Sequence, residues 1–250
     1  MVKRSSKIPK ENYETLLTEA QEINKFNMFK RIKDRLGDIR LTNKQKELHE
    51  LFKFNDIIAV TGPAGSAKTF MSIYCALEFF INNKTNKILL TKPIVEAGEN
   101  LGFLPGDMSE KIDPYTQSYV DLLHEIVGVE ITKKLFETNR IHFEPVAYMR
   151  GRNIQDTCLI IDEIQNYTES QLLTLVTRKH ASTKIILLGD YMQNDRKNKA
   201  HQRSIDFIEY VLRPIKNNVG VFEFSLQDIM RDKIIIDILQ NYEKYLAKKN

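Results

Sequence analysis

Short runs of consecutive apolar residues alternate along this chain with longer segments in which apolar residues recur at helical spacing. Six runs have the length and bounding turn residues of buried strands, and they lie at 56–61, 87–92, 141–144, 157–161, 184–188 and 219–224. Helices are predicted at 42–52, 68–82, 115–127, 130–138, 168–179 and 202–212. Alternating helices and uniformly apolar strands predict an α/β fold, with a mostly parallel sheet covered by helices on both faces.

Two segments depart from this alternation. Residues 94–113 hold three glycines and a proline, which predicts a long ordered loop. Residues 1–40 are polar and charged, and the apolar spacing from Ile23 to Leu36 suits a short amphipathic helix. We therefore predict a charged, helical N-terminal arm at 1–40 and one domain at 41–250. Either solvent surrounds this arm, or it contacts a nucleic acid or another subunit.

Composition narrows the choice of partner and compartment only slightly. The net charge of +4, from 37 basic and 33 acidic residues, permits a nucleic-acid partner without requiring one. Cys75 and Cys158 each lie in an apolar run, as buried free thiols of a reducing compartment do. The first residues of the sequence do not resemble a signal peptide, and no apolar run approaches the roughly 20 residues of a membrane span. We expect a soluble, cytoplasmic protein with no membrane partner.

The segment between the first strand and the helix at 68–82 matches the phosphate-loop pattern G-x4-G-K-[ST] at every position but one. Its residues are Gly62, Pro63, Ala64, Gly65, Ser66, Ala67, Lys68 and Thr69. Backbone N–H groups of such a loop and of the following helix converge on anionic phosphates. Lys68 adds positive charge at the outer phosphates, and the Thr69 hydroxyl is a ligand for Mg²⁺. The sequence therefore predicts a RecA-like P-loop nucleoside triphosphatase that binds ATP with Mg²⁺.

Ala67 is the departure, because the pattern has glycine at that position. If the backbone there needs a positive φ, the Cβ atom costs about 1 kcal/mol or more. We expect weaker nucleotide affinity at worst, since Lys68 and Thr69 are retained.

Two acidic residues, Asp162 and Glu163, follow the apolar run at 157–161. The carboxyl ends of parallel strands form the ligand-binding edge of such a sheet, so the pair is predicted to lie beside the phosphate loop. Asp162 would hold Mg²⁺, directly or through water, and Glu163 would polarise the attacking water. Alone, the pair equally suits a capping role, but its combination with the phosphate loop favours catalysis. Gln193, shortly after the next strand, is either a γ-phosphate sensor or part of an ordinary turn.

Six motifs occur in an order that resembles one known family. They are 61–69 (TGPAGSAKT), 91–99 (TKPIVEAGE), 101–107 (LGFLPGD), 148–152 (YMRGR), 162–166 (DEIQN) and 189–193 (GDYMQ). The chain resembles PhoH-like proteins, the phosphate-starvation-inducible ATPases of bacteria and phages, from about residue 41 to about residue 242. It departs from their pattern at Ala67, at Ile164 where a small alanine is usual, and at Tyr191 and Met192 in place of a Pro-Thr pair.

That family is similar to the ATPase core of superfamily-one helicases, and the similarity implies further roles. Gln45 would read the adenine edge. Asp162 and Glu163 would be the metal-binding and catalytic acids, and Gln193 would sense the γ-phosphate. By the same similarity, ATP hydrolysis would drive movement along single-stranded RNA or DNA, or the unwinding of paired strands.

Residues 224–231 (FSLQDIMR) resemble a late helicase motif whose arginine, here Arg231, stabilises the transferred phosphate. Arg178 is a second candidate, although a surface salt bridge is an equal alternative for either arginine. Such helicases cleave ATP between two domains, and this chain has room for one. We therefore predict a homo-oligomer, a hexameric ring, in which an arginine of one subunit completes the neighbouring site.

Two alternatives to the translocase remain at this point. An assembly module that uses ATP to change its oligomeric state needs no nucleic acid, and the modest charge is compatible with it. A small-molecule kinase needs an acceptor pocket and a lid, whereas the Asp-Glu-x-Gln motif favours water activation. Lys92, Arg150 and Arg152 are either contacts to a nucleic-acid backbone or braces for the loop at 94–107.

Overall fold

A computed structural model describes residues 10–93, 108–149, 153–190 and 204–249 of the chain. Its sheet contains all six predicted strands, with bounds within two residues of those expected. They are β1 Ile57–Thr61, β2 Lys87–Thr91, β3 Ile141–Phe143, β4 Thr157–Ile161, β5 Lys184–Gly189 and β6 Val219–Glu223. The α/β fold class and the sheet predicted from the sequence are thereby confirmed.

The strands pair in the order β3-β2-β4-β5-β1-β6, and every pair in this sheet is parallel. Strand β5 therefore lies between β1, which leads into the phosphate loop, and β4, which leads into Asp162. The register places Thr61 beside Gly189 and Thr91 beside Ile161. The carboxyl ends of all these strands thus meet at one edge of the sheet, where the ligand site of a parallel sheet lies.

Helices and short turns connect and cover the strands. They are α1 Lys10–Asp38, α2 Asn43–Phe54, α3 Lys68–Ile81, α4 Met108–Val127, α5 Val129–Glu137, α6 Val146–Met149, α7 Glu169–Val176 and α8 Lys233–Lys249. A π-helical segment spans Phe207–Leu212, and single 3₁₀ turns span Ile164–Asn166 and Leu226–Asp228. No helix in the described part of the chain has both the length and the apolar character needed to cross a membrane.

Alternate residues of each central strand serve two separate cores. In β1, Ile58 and Val60 pack into a cluster with side chains of α1 to α5, whereas Ala59 packs with α6, α7 and the π-helical segment. Both faces of the sheet are therefore dry. This explains why the strands are apolar at consecutive positions rather than at every second one.

The structure corrects the predicted elements in three places. Helix α4 begins at Met108, so the end of the loop predicted at 94–113 is helical, and residues 94–107 lie outside the described residues. The sequence prediction began this helix at about Tyr115, directly after Pro114, and proline disfavours helical geometry in the residue before it. Helix α8 had not been predicted, and the helix predicted at 202–212 contains a π-helical segment.

Helix α1 extends well beyond the predicted segment 23–36. Met28, Ile32 and Leu36 are buried in the larger core, where α1 contacts α3 and α4. This half of the helix therefore belongs to the packed structure. The division of the chain at residue 40 stays a prediction.

Lys184, the first residue of β5, joins that strand to the end of α2. Its Nζ atom donates to the backbone carbonyls of Phe52 at 2.8 Å and Asn55 at 2.6 Å. These carbonyls belong to the last turn of a helix, which lacks intrahelical donors and carries partial negative charge. Burial lowers the pKa of the Lys184 ammonium, yet the two carbonyls stabilise its charge.

We expect Lys184→Met to lower the free energy of unfolding by about 1–3 kcal/mol, because two carbonyls lose a charged donor. Denaturant titration followed by circular dichroism measures the change. Lys53→Met is the matched control, since Lys53 pairs with Glu50 at the surface and such pairs contribute about 1 kcal/mol at most. Equal losses in the two variants would contradict the capping role of Lys184.

Candidate active site

The phosphate loop follows β1 directly, and neighbouring segments fix its shape. Gly62 has a φ of +151°, and a Cβ atom added there would lie 2.7 Å from Cβ of Phe224. Gly65 has a φ of +82°, and its added Cβ would lie 2.9 Å from Cδ of Arg231. Met230 also donates its backbone N–H to the Gly65 carbonyl at 2.9 Å. The glycines therefore permit residues 224–231 to pack closely against the loop.

Ala67 has a φ of +64° and a ψ of 22°, the left-handed conformation that glycine tolerates best. The backbone at this departure from the family pattern therefore does have a positive φ, and the Cβ costs about 1–2 kcal/mol there. Helix α3 begins immediately afterwards, since the Met71 N–H donates to the Ala67 carbonyl at 2.9 Å. The loop thus keeps the geometry that points a helix N-terminus at the pocket.

Lys68 lies folded against the loop that precedes it. Its Nζ donates to the carbonyls of Gly62 at 2.7 Å and Pro63 at 2.8 Å. Burial lowers the pKa of the Lys68 ammonium, and the carboxylates across the pocket, Asp190 first, oppose that shift. Lys68 therefore places a positive charge in the wall of the pocket, next to the loop carbonyls.

Asp162 is buried, with 8% of its surface exposed, and three donors hold its carboxylate. Oδ2 accepts from the Thr69 hydroxyl at 3.1 Å and from the Tyr119 hydroxyl at 2.6 Å. Oδ1 accepts from the Glu163 N–H at 2.8 Å. Burial and the adjacent Asp162 carboxylate raise the pKa of Tyr119, which keeps its hydroxyl protonated as a donor.

Glu163 begins the turn after β4 in a left-handed conformation, with a φ of +56°. Burial, together with the Asp162 charge, raises the pKa of the Glu163 carboxyl. The fully buried amide of Gln165 donates to Oε2 of Glu163 and accepts from the Asp190 N–H at 3.0 Å. Gln165 therefore ties the acid after β4 to the chain that leaves β5.

Ile164, the departure from the small alanine of the family pattern, is accommodated by a glycine on the neighbouring strand. A Cβ atom added to Gly189 would lie 2.8 Å from Cγ1 of Ile164. The larger side chain therefore packs at the end of β5.

These groups surround a pocket of about 380 Å³. Of the residues predicted from the sequence, those that line it are Ala64, Gly65, Ala67, Lys68, Thr69, Asp162, Glu163 and Arg231. Lys92 also lines the pocket, although it had been considered as a contact to nucleic acid. Gln193, Arg150 and Arg152 lie outside the described residues.

Outside the phosphate loop, two of the predicted residues that the structure describes do not line the pocket. Gln45 forms a capping box with Thr42 at the start of α2, where its Oε1 accepts from the Thr42 N–H at 2.9 Å. Arg178 follows α7 at the opposite edge of the sheet, where its carbonyl accepts from the Ile154 N–H ahead of β4. The structure therefore does not bring Arg178 into the pocket of its own chain.

Sequence reasoning missed Tyr119, Gln165 and Asp190 as members of the site. Gln165 and Asp190 stand inside quoted motifs, so their positions gave a signal. Tyr119 lies within α4 with no motif of its own, and only the packing of α4 against α1, α3 and α5 brings it to Asp162.

The oxygen atoms of Thr69 and Asp162 suit Mg²⁺, which prefers hard oxygen ligands. In the part of the chain that the structure describes, no group of three or more His, Cys, Asp or Glu side chains is arranged to hold a metal. Mg²⁺ commonly uses one or two protein oxygens and completes its shell with water and substrate phosphates. The residues present therefore fit a metal that arrives with a nucleotide.

Comparison with known proteins agrees with the motifs. The sequence model described as PhoH-like protein matches residues 39–243. PhoH-like proteins of Bacillus subtilis and Synechocystis sp. are 37% and 35% identical, over 203 and 215 residues. The alignments cover 81% and 85% of this chain but 63% and 65% of those relatives, so the chain spans less than two thirds of their length.

Among solved structures, the large terminase of a thermophilic bacteriophage aligns with a TM-score of 0.46 and 11% identity. That alignment covers 81% of this chain and 50% of the terminase chain.

The match of the family model and the identity to the curated relatives lead to one conclusion. The chain belongs to the PhoH-like protein family.

Proposed function

We propose that the protein binds ATP with Mg²⁺ in this pocket and hydrolyses it. The observation that carries the proposal is the 3.1 Å hydrogen bond from the Thr69 hydroxyl to the Asp162 carboxylate. It joins the helix after the phosphate loop to the strand that supplies the acids, across 93 positions of sequence. That junction supports one site for a nucleotide and its metal.

Binding would rest on the loop backbone and on Lys68. The N–H groups at the start of α3 attract phosphate through hydrogen bonding and the helix dipole. The Lys68 ammonium lies within the same pocket and adds a full positive charge. Thr69 and Asp162 would hold Mg²⁺, which supplies positive charge to the β- and γ-phosphates when bound.

Hydrolysis requires a water molecule directed at the γ-phosphorus. Glu163 is the acid beside Asp162 that would accept the proton of that water as its oxygen bonds to phosphorus and the bond to ADP breaks. Gln165 would hold the Glu163 carboxylate in place. Arg231, whose side chain crosses Gly65, would neutralise charge on the phosphates.

We further propose that hydrolysis is coupled to single-stranded RNA or DNA. The resemblance to helicase cores supports this coupling, and the net charge of +4 permits it. An ATP-dependent assembly switch is the second candidate, and α8 favours it. Ile234, Ile238 and Tyr242 are about half exposed and form an apolar stripe on that helix, which suits contact with another copy of the chain.

Steady-state ATP hydrolysis in Mg²⁺, with and without single-stranded RNA or DNA, tests both candidates. We expect Lys68→Ala to abolish activity, and Glu163→Gln to lower kcat by about 10²–10⁴-fold while ATP still binds. Lys133→Ala, which changes an exposed lysine paired with Glu137, is the control for lost charge. Full activity in Glu163→Gln would refute its role.

A several-fold rise in turnover with either polymer supports the translocase. Oligonucleotide binding should then weaken steeply with salt, because backbone contacts release counterions. If neither polymer changes the rate of ATP hydrolysis, but the rate changes with oligomeric state, the assembly switch is favoured.

The amide of Gln165 gives a separate test of the catalytic acid. We expect Gln165→Met to lower kcat about 10-fold with little change in KM for ATP, because Glu163 loses its fixed orientation but the phosphate loop is intact. Gln117→Met removes an exposed amide that donates to Asp121 at 2.7 Å and should leave kcat unchanged. A rise in KM without a fall in kcat would contradict the assignment.

A homo-oligomer, with the hexameric ring as its predicted form, also remains a proposal. Arg231 lines the pocket of its own chain, so we assign it to its own site. Of the two candidate arginines, Arg178 at the opposite edge of the sheet is then the one that we assign to a neighbouring site.

Mixing variants distinguishes the two arginines. Lys68→Ala mixed with Arg178→Ala should recover part of the activity, because some interfaces then combine an intact loop with an intact Arg178. Lys68→Ala mixed with Arg231→Ala should show no recovery. Light scattering gives the subunit number, and a fully active monomer would exclude the ring.

A further inference from the structure

Tyr119 is a buried polar side chain that the proposed reaction leaves without a role. It lies on α4 with 3% of its surface exposed. Its ring packs edge-to-face on Phe143, with centroids 4.9 Å apart, and Nζ of Lys92 lies 5.6 Å from the ring centre. The ring is therefore held by β3 and by the residue after β2, independently of its hydroxyl.

The hydroxyl of Tyr119 meets the same oxygen that contacts the phosphate-loop helix. Oδ2 of Asp162 accepts from Tyr119 at 2.6 Å and from Thr69 at 3.1 Å. The Tyr119 bond is the shorter of the two. It also comes from a helix that belongs neither to the phosphate loop nor to the strand carrying Asp162.

We propose that Tyr119 is a positioning residue for the divalent metal, whose hydroxyl fixes the orientation of the Asp162 carboxylate. This inference rests on the proposed role of Asp162 in metal binding. The Glu163 N–H restrains Oδ1, while Tyr119 and Thr69 restrain Oδ2, so the carboxylate plane has little freedom to rotate. Groups that orient a ligand in this way commonly change metal affinity or activity 10–100-fold when removed.

The arrangement also makes the metal site depend on the position of α4. That helix packs against α1, α3 and α5. Its hydrogen bond to Asp162 comes from the Tyr119 hydroxyl. A displacement of α4 relative to β4 would lengthen this bond and release Oδ2. Metal affinity is therefore the property that reports the Tyr119 contact.

Binding of Mn²⁺ in the presence of ADP, followed by electron paramagnetic resonance, tests the inference without any catalytic step. We expect Tyr119→Phe to raise the Kd for Mn²⁺ about 10-fold. ADP binding in EDTA should equal that of the wild type, because the ring and the phosphate loop are unchanged. Tyr74→Phe is the matched control, since Tyr74 lies on α3 and packs against His49 instead.

An unchanged Kd for Mn²⁺ in Tyr119→Phe, beside a wild type that binds the metal with ADP, overturns the positioning role alone. A wild type in which ADP recruits no Mn²⁺ overturns the proposed metal site, and the role of Tyr119 with it. A loss of ADP binding in EDTA would indicate that the hydroxyl supports the fold of the pocket, and this also overturns the inference.

Discussion

The buried carboxylate of Asp162 is the group on which the organisation of this pocket depends. A carboxylate taken out of water is unstable unless donors replace its hydration, and here the donors come from three segments. Thr69 supplies one from α3, Tyr119 one from α4, and the Glu163 N–H one from the turn after β4. Satisfying this one charge therefore fixes the phosphate-loop helix, α4 and the acidic turn relative to one another.

The phosphate loop is held from its other side by the segment that follows β6. Phe224 approaches Gly62, Met230 donates to Gly65, and Arg231 crosses the same glycine. Within the loop, Ser66 donates both its N–H and its hydroxyl to the Pro63 carbonyl. Close packing on two glycines adds to the rigidity of the loop, and it makes the late segment of the chain a wall of the pocket.

Much of this arrangement follows from local pattern. The apolar runs located all six strands because both faces of a covered parallel sheet exclude water. The phosphate loop was readable because its glycines, Lys68 and Thr69 each meet a separate physical requirement at fixed spacing. Local pattern was less reliable at Pro114, where a helix continues through a residue that usually marks a boundary, and at α8, whose apolar stripe is half exposed.

What the sequence determined by itself was therefore the fold class, the phosphate loop and the position of two acids directly after a buried strand. Those features follow from apolar runs and from motifs of fixed spacing, which the order of residues already supplies. Tertiary structure decided that Tyr119 donates to Asp162, that Arg231 lies in its own pocket and that Arg178 does not. Each of these depends on which helix packs beside which strand, and contacts between residues far apart in the chain leave no mark in local spacing.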